Sequence, residues 1–356
     1  MAKAIDLEAQ VVYGYLRRHK DTMAADGMPT ENHAWCSVKV GGEYRFIDCW
    51  LASPCHQYNN KSNNDNNGDT MPLVVEPHWF LCRPLDMIYT HFPTSAVDQY
   101  LEPPVSINTF FALPFVCLPF FQHHIHVLDY DPASCELVGD KMCHITLQID
   151  PDIACYAEVE TRTTQHDMTR TALLKTRGLA QSLDDNGGDR ICKIKAQLPP
   201  GQWMGWLKIY AGPRVVPTTG TGQQQQEKLG AKHYPLALCF RLTQQMPQIQ
   251  QQQQQQQPTF DFVHIHVCQY EFYVQEPQCY QLYPLQKYNF SVKSNQTHHK
   301  LAIRSPNGRL YKLMYYPQDH TYDGTITVSE VGQWTLVCLL HHAGGLYVVA
   351  SWECKV

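Results

Sequence analysis

The sequence predicts a mainly β protein with a partial α+β part: an incomplete first module, then one or two β-sandwiches. Three observations carry that prediction. From about residue 141, short runs alternate apolar and polar residues at period two, with turn-forming residues between them. Before that point the chain shows one hairpin signal, then aromatic segments broken by proline, with one short helix signalled. A chain of 356 residues, 44% of them hydrophobic, can bury two or three cores.

Composition excludes several functions. The net charge is -5 and no basic cluster occurs, so nucleic acid is not an expected partner. The fourteen cysteines are scattered and mostly single within apolar runs, and no signal-like start precedes them. They read as reduced thiols of a cytoplasmic protein rather than a disulfide framework. The most apolar run, residues 110–121, is short and broken by Pro114 and Pro119, so no transmembrane helix is expected.

In chain order, residues 9–17 (AQVVYGYLR) form the first expected strand, and residues 21–30 a polar loop with Gly27 and Pro29. Residues 33–50 (HAWCSVKVGGEYRFIDCW) then read as a β-hairpin turning at Gly41-Gly42. His33 opens its first strand and Asp48 closes its second, so the hairpin brings their side chains near one another. A carboxylate beside an imidazole fixes its tautomer and stabilises the imidazolium formed when the ring takes a proton from a nucleophile. Two polar residues at strand ends are the bland alternative. Cys36 and Cys49 are both expected to face away from the pair, because side chains alternate along a strand.

Asn32-His33-Ala34-Trp35, the Gly turn, and Asp48 with Trp50 resemble the His and Asp blocks of the transglutaminase-like (papain-related) superfamily. The resemblance covers residues 31–54, and at Cys36 the family commonly carries Asn. It implies that His33 is the family-equivalent base and Asp48 its orienter. Trp35 and Trp50 are candidate groove residues. In that superfamily the nucleophilic Cys starts a helix well before the His block, and here the first cysteine is Cys36. Two explanations are open: an upstream half is missing from this gene model, or the site is degenerate and the module binds without catalysing.

Residues 59–69 (NNKSNNDNNGD) are a low-complexity insertion. The aromatic stretch 76–93 is expected to dock back onto the hairpin. Ser106 can cap a short helix burying Phe110, Phe111 and Leu113. Residues 143–149, 155–160, 191–198, 203–210 and 236–242 read as strands of a first sandwich. Glutamine tracts fall at 223–226, a loop, and at 250–257, a linker. The last hundred or so residues give about seven further runs, ending at Trp352, and suit an immunoglobulin-like sandwich. The expected domains are 1–93 (partial transglutaminase-like), 94–140 (connector), 141–248 (sandwich), 249–258 (poly-Gln linker) and 259–356 (immunoglobulin-like).

The order of these blocks, with Tyr89-Thr90-His91-Phe92-Pro93, Glu102-Pro103-Pro104-Val105 and Trp352-Glu353-Cys354, is similar to the C-terminal region of the fungal cytokinesis protein 3 family. The animal kyphoscoliosis-peptidase group shares the hairpin style. The resemblance implies a scaffold in cytokinesis and septum formation at the cell division site. Its partners would be proteins of the cytokinetic ring or septum-synthesis machinery. It also implies an N-terminal SH3 region that this sequence lacks. The alternative is a cysteine peptidase or transglutaminase-type acyltransferase. No cofactor is expected. Histidines pair on strand faces at His124/His126 and His264/His266, but no CxxC accompanies them, so no metal is expected.

Overall fold

The computed structural model describes residues 7–18, 29–53, 75–129, 135–137, 142–164, 171–184, 190–214, 234–244, 260–266, 271–294, 299–339 and 346–355. The Asn-rich insertion, both glutamine tracts and His341-His342 lie outside them. The chain divides into two compact units, residues 1–122 and 123–356.

The first unit is built on a sheet of five strands: β1 (Ala9–Leu16), β2 (His33–Val40), β3 (Glu43–Ile47), β4 (Phe80–Cys82) and β5 (His91–Pro93), in the order β4-β3-β2-β1-β5. The β2–β3 turn puts Gly41 at φ +61 and Gly42 at φ +88. Both lie in the left-handed region that a two-residue hairpin turn requires. Ser37 pairs with Phe46 across the hairpin, and Val12 of β1 pairs with Trp35 of β2. Val12, Trp35 and Phe46 therefore share one sheet face. They form a core with Trp79, Cys82 and Met87, against which Tyr100 and Phe121 pack. The aromatic residues after 75 thus cover the sheet face made by the residues before it.

A six-residue helix, Ile107–Ala112, starts at Ser106, whose Oγ accepts the Thr109 N–H at 3.1 Å. Phe110 is fully buried in it. Arg17, just past β1, donates from its guanidinium to the carbonyls of Phe110 (3.1 Å) and Leu113 (2.9 Å). A cation on the final carbonyls of a helix is favourable, and here it ties the helix to the end of β1. Gly14 is required by close approach: a Cβ there would lie 2.3 Å from the Phe92 carbonyl oxygen and 2.8 Å from the Trp35 ring.

Among the described residues, the strands of the second unit lie in four sheets. Strands Thr171–Arg177, Ile153–Thr164, Met204–Pro213 and Leu236–Gln244 run in that order in one. Leu179–Asp184, Arg190–Ala196, Cys143–Ile149 and His126–Asp129 form another. The inner faces carry Ile145, Leu147, Val159, Leu207, Ile209 and Leu238, each at most 1% exposed. Strands Thr171–Arg177 and Leu179–Asp184 went unmarked in the sequence. Leu173 and Leu174 are both half-exposed there, so alternation is weak.

The C-terminal part is an immunoglobulin-like sandwich. One sheet holds His264–Ile265, Leu346–Cys354, Gly332–Leu339, Lys300–Arg304 and Leu310–Lys312. The other holds Tyr273–Glu276, Gln286–Lys293, Thr321–Val328 and Met314–Tyr316. Residues 310–316 form two strands, Leu310–Lys312 and Met314–Tyr316, split at Leu313. Leu313 is buried, and its N–H reaches the Leu301 carbonyl at 3.0 Å, so the chain crosses from one sheet to the other there. Trp334 and Trp352 are fully buried, and the Trp352 ring meets Phe290 edge-on at 5.2 Å. The two sandwiches touch: Gln181 brackets Val274, donating to its carbonyl at 3.0 Å and accepting its N–H at 2.8 Å.

Candidate functional site

Asp48 follows β3 and is fully buried. Its backbone N–H donates to the Trp79 carbonyl at 3.0 Å, and its own carbonyl accepts from Ala52 at 2.9 Å. Oδ1 accepts the N–H groups of Trp50 and Leu51, each at 2.9 Å. Oδ2 meets two imidazoles, His33 Nε2 at 2.6 Å and His91 Nε2 at 3.0 Å. Burial alone would raise this carboxyl. The hydrogen bonds from His33, His91 and the Leu51 amide outweigh it and hold the group well below the usual carboxylate range.

His33 is placed by pairing with Gly14 and by Asn32 beside it. The Asn32 side chain accepts the Leu16 N–H at 2.7 Å and donates to the Leu16 carbonyl at 3.1 Å, extending the β1–β2 ladder by one false rung. The Trp35 ring stacks near His33 at 6.1 Å, and the Trp50 ring lies edge-on at 5.5 Å. Trp35 is 2% exposed and part of the core, whereas Trp50 is 53% exposed. Trp35 therefore lines no groove, because its side chain fills the sheet face, and Trp50 alone of the two offers surface.

Sequence reasoning gave His91 no role. It opens β5, pairs with Leu16, and has a fully buried side chain. Burial pushes its pKa down, with the Asp48 charge opposing. Held neutral, the ring donates from Nε2 to Asp48, and Nδ1 accepts from the Thr90 hydroxyl at 2.7 Å. Its sequence signal was its place in the Tyr89–Pro93 block, which names no partner, because the partner is set by non-local strand pairing.

By the same bonding rule, His33 donates from Nε2 to Asp48, which leaves Nδ1 as the proton-accepting nitrogen. Among the described residues, the hydrogen-bond and ring partners of His33 are Asp48, Trp35, Trp50 and His91. None is a thiol. Cys36 lies on the other sheet face, where burial, then the neighbouring Cys49, raises its pKa. Cys82 has a histidine near it, His78 Nε2 at 3.9 Å, but burial pushes its thiol up to about 12. Activation of a nucleophile needs the opposite shift. The other histidine pairs do not converge: His124 meets Asp150 at 2.9 Å, and His266 meets Ser351 at 2.9 Å. Among the described residues, no helix is long and apolar enough to cross a membrane.

Comparison with known proteins follows the fold. Residues 265–354 match the family model described as the CYK3 C-terminal Ig-like domain. Cytokinesis protein 3 of Saccharomyces cerevisiae is 26% identical over 378 residues, covering 99% of this chain and 40% of that protein. Cytokinesis protein 3 of Schizosaccharomyces pombe is 24% identical over 371 residues, covering 99% of this chain and 38% of that protein. The chain thus spans about two fifths of the length of these relatives. The Lim and transglutaminase domain protein ltd-1 of Caenorhabditis elegans is 26% identical over 98 residues, 27% of this chain and 14% of that protein.

Proposed function

We propose that this chain, which belongs to the cytokinesis protein 3 family, is a non-catalytic transglutaminase-like interaction module. It acts in cytokinesis and septum formation at the division site, where it binds proteins of the contractile ring or the septum-synthesis machinery. The division-site role is supported by the two yeast relatives, each matched over 99% of this chain. The non-catalytic reading rests on one observation: the ring of His33 is surrounded by Asp48, His91 and two tryptophans, with no thiol among its described partners. A base and its orienter without a nucleophile hold geometry but transfer no acyl group.

A second reading has its own support. The 2.6 Å bond from His33 to Asp48 is the orienting half of a Cys–His–Asp triad, with Nδ1 left to take a proton. In that reading the module is a cysteine peptidase or acyltransferase whose nucleophile comes from outside the described residues.

A fluorescent fusion of the full chain in dividing yeast cells tests the division-site role. The fusion should concentrate at the division plane as the ring contracts. Uniform fluorescence through the division cycle would count against the proposal.

A further inference from the structure

We propose that His33, Asp48 and His91 form a binding site for a divalent transition-metal ion of the zinc class. This goes beyond the division-site reading and does not depend on it. Three donor atoms converge: His33 Nε2, His91 Nε2 and Asp48 Oδ2, all within 4.8 Å of one another. They come from three separate backbone segments, the start of β2, the turn after β3 and the start of β5. The sheet therefore holds them in place before any ion arrives. Two imidazoles and one carboxylate suit zinc, cobalt(II) or iron(II), and not calcium or magnesium, which take oxygen ligands.

The distances are close to what coordination needs. Zinc–ligand bonds of about 2.0–2.1 Å in a tetrahedron place ligand atoms about 3.3 Å apart. The His91–Asp48 separation is 3.0 Å and the His33–Asp48 separation 2.6 Å. An ion therefore needs each histidine–aspartate pair to open by less than an ångström, and the two imidazole nitrogens, within 4.8 Å of one another, to close around it.

The surrounding bonds also fit. Asp48 Oδ1 is occupied by the Trp50 and Leu51 amides, which leaves Oδ2 as a monodentate ligand. His91 Nδ1 lies 2.7 Å from Thr90 Oγ1, which lies 3.3 Å from the Met87 carbonyl. With an ion on Nε2, the His91 proton sits on Nδ1 and donates to Thr90, and the Thr90 hydroxyl donates to Met87. Both contacts are then satisfied together, the outer-shell pattern that fixes a ligand tautomer. Three protein ligands leave a fourth position. His33 is the one partly exposed ligand, with half-exposed Trp50 beside it, so that position takes water or a donor from a partner protein.

The full chain, stripped with chelator and titrated with cobalt(II), tests this. The visible d–d absorbance should saturate at one ion per chain, and zinc(II) should displace it. Thr90→Val should weaken binding about 10–100-fold, as loss of an outer-shell partner does, and His33→Ala should weaken it more. His124→Ala, far along the chain on a different aspartate, should bind as the wild type does. Asp48→Asn keeps an acceptor for the two amides, so it serves if His33→Ala fails to melt cooperatively. Absence of saturable absorbance in the wild type would overturn the inference, as would cobalt binding unchanged in both His33→Ala and Asp48→Asn.

Discussion

The two ends of this chain solve the same packing problem in opposite ways. In the C-terminal sandwich, Trp334 and Trp352 are fully buried, and each indole N–H donates to a backbone carbonyl at 3.0 Å, Glu330 and Pro277 respectively. The buried polar side chains among its described residues are the hydroxyls of Ser294, Ser305, Thr335 and Ser351. In the first unit the buried centre is polar: one carboxylate carries two imidazoles and two amides. There the buried Trp35 indole N–H has no hydrogen-bond partner among the described residues. Leaving a buried donor unmet costs about 1–3 kcal/mol. The comparison teaches that the sandwich is arranged for stability, while the first unit keeps a polar cluster that apolar packing would not require. Such exceptions mark sites.

The largest effects should come from emptying either centre. Asp48→Ala removes one acceptor from four donors and should destabilise the first unit by about 3–5 kcal/mol. Asp48→Asn should recover part of that. Trp334→Ala should cost a similar amount, about 3–5 kcal/mol, through a cavity in the second unit. Denaturant unfolding followed by circular dichroism should show the two losses in different transitions. Both losses in a single transition would break the comparison.

A smaller effect separates backbone from side chain. Gly14→Ala should cost about 1–3 kcal/mol in the first unit, because the new Cβ meets the Phe92 carbonyl and the Trp35 ring and β5 has to shift. Since β5 carries His91, its imidazole resonances should move as well. An unchanged melt and unchanged resonances would mean that β5 is not held where described.

The smallest effect is in pH. His91 is buried with its pKa lowered, so the folded form binds fewer protons than the unfolded one. The stability this gives is present at neutral pH and falls as pH drops below about 6.5, by at most about 1.4 kcal/mol per pH unit. Asp48, also lowered, adds its own loss only in stronger acid, below about pH 4. His91→Gln should flatten the slope just below neutrality in the first unit and leave the second unit unchanged.

The hairpin was legible because its signals are local. Gly41-Gly42 fixed the turn, and the spacing of His33 and Asp48 put them at neighbouring strand ends. The C-terminal strands were legible because period-two alternation survives wherever one face is buried. His91 was not legible, because its partner is set by the pairing of Leu16 with His91 across a gap that no local pattern records. Trp35 was misplaced as a groove residue although strand parity puts it on the face of Val12 and Phe46. That face is closed by Trp79, Met87 and Phe121, whose return to the sheet depends on tertiary packing.

The most direct test of the account is the initial rate of acyl transfer and of peptide cleavage by the full chain. Amine incorporation into a glutamine-containing peptide and hydrolysis of an unfolded protein substrate would be measured beside His33→Gln. The account predicts no turnover above background in the wild type, and no difference between the two proteins. Turnover that is lost on His33→Gln would contradict it and make the His33–Asp48 pair the base and orienter of a working nucleophile.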